Sequence, residues 1–245
     1  MLNIDPRDLQ FFFGTARQPC PYIKGKFEAK AVTELVGPGA LRLHDMLSQA
    51  GFRRSHGIAY RPACENCRAC VPVRVVVDGF RPSRSMRKVL TRNADLTAVE
   101  RPPIATAEQF HVFQAYEQTR HSDGDMALMD FSDYRSMVED TPVETRIVEF
   151  RGNDNELVAV SLTDRLGDGL SGVYKFFAAD RARTSPGTYV ILWHIERARA
   201  LGLPYVYLGY WIGESPKMAY KARFQPLEAL IGEEWTLFRP NASDK

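Results

Sequence analysis

The hydrophobic pattern of the C-terminal part of the chain predicts helices followed by β-strands. Residues 107–120 place Phe110, Phe113 and Tyr116 at helical spacing. Three runs with the composition of strands come later, and the turn-forming segment 152–155 joins the first two. The predicted elements, in chain order, are helices 107–120 and 132–139, strands 144–150, 156–163 and 170–177, helix 188–201, strand 205–210, helix 217–222 and strand 235–238.

This order of elements predicts an α+β fold with a mostly antiparallel sheet. It resembles the GNAT-like acyltransferase fold, in which a glycine-containing turn before the main helix usually holds the pyrophosphate of coenzyme A with backbone amides. The corresponding turn, residues 183–188, keeps the single glycine Gly187 and contains Pro186, which has no amide donor. We therefore expect an acyl donor other than coenzyme A.

The N-terminal part of the chain has a separate pattern. Residues 41–50 have the apolar spacing of a helix that ends at Gly51, and the β-branched residues 71–77 predict a strand. Pro102 and Pro103 then separate this part from the helix that begins at residue 107. The sequence predicts a small N-terminal, cysteine-bearing basic domain (1–100) and a GNAT-like catalytic domain (101–245).

Charge is distributed unevenly along the chain. Residues 53–92 carry ten Arg or Lys and two acidic residues, a segment of net charge +8 in a chain whose total is +2. A local basic field on an otherwise acidic protein is typical of a polyanion partner, and an ordinary solvated surface remains the alternative.

The chain shows no membrane or export signal. No apolar run approaches the roughly 20 residues needed to span a bilayer. Residues 1–6 lack the basic-then-apolar order of a secretory signal. We expect a cytoplasmic protein with no membrane partner.

All four cysteines lie in the N-terminal part of the chain, at Cys20, Cys64, Cys67 and Cys70. Four thiolates are enough for a structural Zn²⁺ ion or an iron–sulfur cluster. Cys20 lies far upstream of the triplet, so only the fold can bring it near. The alternative is four reduced thiols packed as small buried groups.

Basic residues alternate with short hydroxyl side chains between residues 81 and 93, and both residue types bind phosphate groups. Arg84, Arg87 and Lys88 share one face at helical spacing. A solvated helix face is the alternative. The candidate nucleic-acid-binding residues are Arg84, Arg87, Lys88, Arg92, Lys217 and Lys221.

A strand near the C-terminus is rich in aromatic residues. Tyr207, Tyr210 and Trp211 could line a groove for a terminal adenosine, because a flat base stacks on aromatic rings. The alternative is an aromatic core strand.

Five collinear strings resemble the bacterial aspartate/glutamate leucyltransferases, relatives of the eukaryotic arginyl-tRNA–protein transferases. The resemblance covers roughly residues 10 to 231. The eukaryotic relatives arrange their cysteines as a Cys-x-x-Cys pair and an adjacent Cys-Cys pair, whereas this chain has a single cysteine and a triplet. The strings are residues 18–22, 51–55, 60–74 (Tyr-Arg-Pro-x-Cys-x-x-Cys-x-x-Cys-Val-Pro-Val-Arg), 83–88 (Ser-x-Ser-x-Arg-Lys) and 207–212 (Tyr-Leu-Gly-Tyr-Trp-Ile).

The resemblance implies an aminoacyl-tRNA donor, Leu-tRNA, and protein acceptors that begin with Asp or Glu and are thereby marked for the degradation machinery. An aminoacyl ester is already activated, so transfer requires no cofactor. The enzyme must align the ester with an amine whose ordinary pKa is about 7.7–8.0 and remove a proton from it. The candidate catalytic residues are His121, Asp123, Asp125 and Tyr174.

Selectivity for an acidic first residue requires a cation opposite its carboxylate. We expect Arg53 and Arg54 to form this clamp, with Arg120 as the reserve candidate. Two other classes remain open: a coenzyme A-dependent GNAT acetyltransferase, and a non-catalytic RNA-binding module built on the cysteine domain.

Overall fold

The computed structural model describes residues 10–122 and 124–240. The strands are β1 (Phe13–Gly14), β2 (Gln18–Pro19), β3 (Phe27–Glu28), β4 (Lys30–Glu34), β5 (Arg53–Ser55), β6 (Ile58–Pro62), β7 (Val71–Val76), β8 (Thr97–Arg101), β9 (Thr145–Arg151), β10 (Leu157–Leu166), β11 (Gly169–Phe177), β12 (Tyr205–Trp211), β13 (Leu227–Ile231) and β14 (Glu234–Leu237). The helices are α1 (Ala40–Gln49), α2 (Arg84–Arg92), α3 (Ala107–Arg120), α4 (Phe131–Glu139), α5 (Pro186–Ala200) and α6 (Pro216–Ala219).

The largest sheet within these residues has eight strands, in the order β14-β13-β7-β12-β11-β10-β9-β8. β11 and β12 run parallel, and the other neighbouring strands run antiparallel. Helix α5 connects the parallel pair, as a crossover between parallel strands requires. The predicted α+β, GNAT-like arrangement is confirmed.

Helices cover both faces of this sheet, because adjacent residues of a strand point to opposite sides. On β9, Ile147 packs with Phe113 of α3 and Tyr134 of α4. The next residue, Val148, belongs to a core cluster that contains Val190 of α5. Helices α3 and α4 therefore lie on one face and α5 on the other.

Local capping explains where three helices begin. The side chain of Ser83 caps α2, and Thr106 and Asp130 form capping boxes at α3 and α4. These hydrogen bonds satisfy amide groups that a first helical turn leaves without partners.

The N-terminal residues form a second, four-stranded sheet in the order β1-β4-β6-β5, and β2 pairs with β3. β7 lies before residue 101 and β8 ends at it. Both strands nevertheless pair in the same sheet as the strands that follow residue 101. The large sheet thus crosses the predicted boundary at residue 100, and the division into two domains stays a prediction.

β11 and β12 separate after a short stretch of pairing. Their parallel register covers residues 169–171 and 205–207 and then stops. The register of β11 against β10 shifts at Val173, and that of β12 against β7 shifts at Leu208. We call the opening beyond these two bulges the strand gap.

Arg53 of β5 fills the beginning of the strand gap. Its Nη2 donates to the Gly172 carbonyl at 2.6 Å and to the Val173 carbonyl at 3.2 Å. Gly209 permits this approach, because its φ is +75° and a Cβ there would lie 2.9 Å from Arg53 Nε. The side chain replaces strand-to-strand hydrogen bonds that the separation removes.

Five strands of the eight-stranded and four-stranded sheets are not predicted by the sequence: β1, β4, β5, β8 and β13. β5 and β8 carry charged residues in place of an apolar run, and β13, Leu227–Ile231, contains a glutamate within a short apolar segment. The predicted helix at 217–222 is a short α-helix followed by a 3₁₀ turn, Tyr220–Arg223. Tertiary pairing, more than local composition, sets these elements.

Gly209→Ala should lower the free energy of unfolding more than Gly202→Ala. Both residues have positive φ, so each alanine costs about 1–2 kcal/mol of backbone strain. Only the Cβ at position 209 also meets Arg53, which its carbonyl partners hold in place, and such overpacking adds about 1–3 kcal/mol. Urea unfolding of the two variants measures the difference, and equal losses would contradict this account of the strand gap.

Candidate active site

The predicted Arg53–Arg54 clamp is corrected by the positions of both side chains. Arg54 is buried, and its Nε and Nη2 donate to the two oxygens of Asp164 at 2.6 and 2.8 Å. Arg53 points into the strand gap, where it binds backbone carbonyls of β11. The fold therefore uses both guanidinium groups, and the acidic residue of a substrate needs another cation.

Arg120, the reserve candidate, is available to a substrate. It lies exposed at the end of α3, with its Cζ 5.1 Å from the centre of the Phe177 ring. It lines a cavity of about 350 Å³ together with Tyr116 and Thr119 of α3 and two alanines, Ala179 and Ala182, of the 3₁₀ turn before α5. Arg120 thus stands as the revised candidate for the carboxylate.

The aromatic residues of β12 belong to the core, which corrects the predicted adenosine groove. Tyr207, Tyr210 and Trp211 are each less than 10% exposed. Tyr210 donates to the Gly51 carbonyl at 3.0 Å, and Trp211 Nε1 donates to the Ala219 carbonyl at 3.2 Å. Their polar atoms are bound within the fold, and the rings have no free face for a base.

Lys221 is buried beside the strand gap, not exposed to RNA as predicted. Its Nζ donates to the Tyr210 carbonyl and lies 3.2 Å from Met218 Sδ. Burial lowers the pKa of this ammonium well below its usual range, and the charges of Lys175 and Arg53 lower it further. Lys217, in contrast, is exposed, with Nζ 3.3 Å from His121 Nδ1.

Two consecutive residues of β11 point to opposite faces at the strand gap. The Tyr174 phenol donates to the carboxylate of Glu117, which is buried on α3. Lys175 lies on the other face, with Cε 3.9 Å from the Cβ position of Gly187 at the start of α5. One strand thus presents a phenol to one side and a cation to the other.

The polar loop after α3 is placed near this site. The His121 ring meets Tyr116 at 5.6 Å between centres. Asp125 is exposed and begins a 3₁₀ turn that ends at Leu128. Asp123 lies outside the described residues. The catalytic roles of these three residues stay predictions.

The basic helix α2 presents its predicted phosphate-binding residues to solvent. Met86 and Val89 are its buried residues, while Arg84, Arg87, Lys88 and Arg92 are exposed. Its C-terminal cap, Asn93, donates to the Thr184 carbonyl at 2.8 Å. This bond fixes the basic helix beside the turn that precedes α5.

The turn before α5 has few amides free for a pyrophosphate. Pro186 is the first residue of α5, and the amides of Thr188 and Tyr189 donate to the Ser185 carbonyl at 3.0 and 3.2 Å. An acyl donor other than coenzyme A stays a prediction of the sequence.

The four cysteines lie near one another beside the strand gap. Burial, followed by the neighbouring thiols Cys20, Cys64 and Cys67, raises the pKa of Cys70 to about 12. Within residues 10–122 and 124–240, no group of three or more His, Cys, Asp or Glu side chains is arranged to hold a metal ion. Metal binding at these thiols therefore stays a prediction of the sequence.

Glu117 and Lys175 are not identified by the sequence analysis, although each breaks an apolar pattern. Glu117 follows Phe110 and Phe113 at positions that a helix places on one buried face. Lys175 interrupts the apolar run at the end of β11. A charged residue at a buried position is the signal available for both.

The fold is that of a GNAT-like acyltransferase. Family models described as arginine-tRNA-protein transferase, N terminus and C terminus, match residues 18–88 and 108–231. The chain belongs to the arginine-tRNA-protein transferase family and is accordingly an aminoacyltransferase.

Similar proteins from bacteria cover nearly the whole chain. A protein of Paramagnetospirillum magneticum named aspartate/glutamate leucyltransferase is 57% identical over 94% of each chain. One of the same name from Gluconacetobacter diazotrophicus is 55% identical over 96% of this chain and 91% of that relative. Among solved structures, L-PGS from Bacillus licheniformis overlaps 59% of this chain and 47% of its own at a TM-score of 0.44 and 15% identity, a likeness too distant to assign an activity.

No helix of the described residues has the length and apolar character that crossing a bilayer demands.

Lys221→Met should remove a pH dependence of stability that the natural protein has. Burial depresses the pKa of Lys221 in the folded state, so between pH 8 and 10 the unfolded chain binds more protons and the natural protein gains stability as pH rises. The gain over Lys221→Met is at most about 1.4 kcal/mol per pH unit. Urea unfolding across this range measures it, with Lys88→Met on the surface of α2 as the control. If the free energy of unfolding changes with pH in the same way in all three proteins, the pKa of Lys221 is not lowered by burial.

Proposed function

We propose that this protein transfers leucine from Leu-tRNA to the N-terminal amine of proteins that begin with Asp or Glu. The identity of 57% over 94% of both chains with a protein named aspartate/glutamate leucyltransferase is the observation that carries the proposal. The basic helix beside the turn before α5 and the exposed Arg120 support it, since they provide separate cations for phosphate groups and for a carboxylate.

The donor approaches from the face of α5. Exposed cations of α2 bind phosphates of the tRNA, and Asn93 keeps that helix next to the turn at Thr184. Lys175 lies close to the first residues of α5, where it adds a cation near the end of the acceptor strand. The ester enters the strand gap from this side.

The acceptor binds at the C-terminal end of α3, next to the turn before α5. The guanidinium of Arg120 binds the side-chain carboxylate of an N-terminal Asp or Glu in the cavity beside Tyr116. An uncharged first residue leaves this cation without its partner, which lowers the affinity for the wrong acceptor. The α-amine then faces the strand gap.

The cellular setting belongs to the same proposal. We place the reaction in the cytoplasm, and the modified proteins pass to the degradation machinery. Transfer uses no cofactor, because the ester is already activated. The four thiols, with or without Zn²⁺ or an iron–sulfur cluster, have a structural role in the N-terminal part of the chain.

Two other functions predict different results. A coenzyme A-dependent acetyltransferase requires acetyl-coenzyme A, for which the turn at residues 183–188 offers few free amides. A non-catalytic RNA-binding module binds uncharged tRNA and yields no peptide product. One assay separates the three.

The purified protein should form Leu-peptide from labelled Leu-tRNA and peptides beginning with Asp or Glu, without ATP or coenzyme A. Peptides beginning with Ala should react at least about 10-fold more slowly, because a charge-assisted hydrogen bond is worth about 1.5–3 kcal/mol. Arg-tRNA offered in parallel tests the choice of donor. Product that appears only with acetyl-coenzyme A, or no product at all, would refute the proposal.

Replacing Arg84, Arg87 and Lys88 together with Gln should weaken tRNA binding and flatten its dependence on salt. Each phosphate that the protein no longer neutralises lowers the slope of log K against log salt by about 0.7–0.9. Binding titrations between about 50 and 200 mM salt measure the slope. The matched control replaces three other exposed cations, Arg135, Arg146 and Arg165, with Gln. If the two triple variants behave alike, the basic helix is an ordinary solvated surface.

A further inference from the structure

One buried carboxylate lacks the cation that the others have. Among the described residues, the buried acids are Glu28, Glu117, Glu149 and Asp164. Glu28 pairs with Lys30, Glu149 with Arg101 and Arg151, and Asp164 with Arg54.

Glu117 is 1% exposed and makes no ion pair within the described part of the chain. Its carboxylate accepts a hydrogen bond from the phenol of Tyr174. Burying an unpaired carboxylate costs several kcal/mol, and groups retained at such a cost are concentrated at functional sites. The hydrogen bond to Tyr174 connects this carboxylate with β11.

Tyr174 stands at the strand gap and connects it with Glu117. It is the residue after the bulge at Val173, whose carbonyl binds Arg53. Its side chain is half-buried, with the phenol bound to Glu117 of α3 and with Tyr22 of the N-terminal segment also close to it. Since its hydrogen points to Glu117, the free lone pairs of the phenol oxygen remain to accept a hydrogen bond from a group in the gap.

On the proposed function, we propose that Tyr174 accepts a proton from the incoming α-ammonium group and passes its own phenolic proton to Glu117. Tyr174 touches the substrate and is the catalytic residue. Glu117 acts through it, as a positioning residue and the final holder of the proton.

The step balances without a further reactant. The ammonium N–H bond breaks as a new O–H bond forms on Tyr174, and the phenolic proton moves to the Glu117 carboxylate. The free amine attacks the ester carbonyl carbon, and the bond from that carbon to the ribose oxygen breaks. A second proton of the amine goes to the ribose oxygen, and Glu117 returns its proton through Tyr174 to water.

The groups around Tyr174 do not compete with Glu117 for this proton. Burial and the charge of Glu117 raise the pKa of Tyr174, so the phenol is protonated at neutral pH. The other phenols that face it are Tyr116 on α3 and Tyr22 in the N-terminal segment. Burial raises the pKa of each to about 12, so neither removes a proton at neutral pH. Arg120 and Glu117 are the charged groups near Tyr116.

Single-turnover transfer from Leu-tRNA to an Asp-initiated peptide tests the proposal in Glu117→Gln and Tyr174→Phe. At pH 7 we expect each variant to lower the rate about 100-fold, with little change in peptide KM, and the double variant to be no slower than either. At pH 9, where the amine is largely unprotonated in solution, the loss should shrink to less than about 10-fold. Hydrolysis of the ester is subtracted at each pH.

Two controls separate catalysis from folding. Glu149→Gln removes an equally buried carboxylate that is ion-paired, so it should lower Tm and leave the rate and its pH profile unchanged. Tyr189→Phe, on α5, removes a phenol whose ring packs against Phe150 of β9, and it should leave the rate and its pH profile unchanged. Glu117→Gln should keep or raise Tm, because it removes an unpaired buried charge.

A natural rate in Glu117→Gln, or an equal loss at pH 7 and pH 9, would overturn the assignment while the leucyl transfer stands. Absence of transfer by the natural protein would instead refute the proposed function.

Discussion

The insertion of Arg53 between β11 and β12 is the interaction on which the site depends. Two parallel strands that separate leave carbonyl groups without partners, and a buried carbonyl without a partner is costly. The guanidinium binds the carbonyls of Gly172 and Val173 and so stabilises the separated arrangement. Gly209 allows it to approach, because a side chain there would collide with it. Without the Arg53 side chain, pairing of β11 with β12 would satisfy these carbonyl groups, and the strand gap would close.

The same arrangement concentrates positive charge around the gap. Arg53 and Lys175 lie near Lys221, whose pKa is lowered first by burial and then by the charges of Lys175 and Arg53. None of the three has an ion-pair partner within residues 10–122 and 124–240. Arg53 and Lys175 are cations in low-dielectric surroundings and attract anions, and the phosphates of tRNA and an acidic acceptor are both anions. The cost of keeping these cations together is offset by packing elsewhere, as in the apolar clusters on both faces of the sheet.

The sequence predicts the elements that carry their own local signal. The period of α3 and the β-branched run of β7 are visible in it, and their predicted bounds differ from the structure by no more than one residue. The site is harder to predict, because its residues come from distant parts of the chain. Arg53 and Arg54 are adjacent in sequence, but in a strand they point to opposite sides, so one joins Asp164 and the other the strand gap. Adjacent residues of a strand point to opposite sides and therefore cannot form one clamp. The sequence does not predict strand β5, so it does not show that Arg53 and Arg54 are separated in this way.

On the proposed function, the alternation of side chains along β11 places the groups near the ester and the groups near the amine on opposite faces of one strand. Lys175 lies with Gly187 on the face of α5, where the basic helix α2 is fastened to the turn at Thr184. Tyr174, one residue earlier, lies with Glu117 on the face of α3. An ester held near Lys175 and an amine held near Tyr174 can meet only where the sheet is open, which is the strand gap. The fold thus fixes the direction of attack before any catalytic group acts, and alignment of amine and ester supplies a large part of the rate.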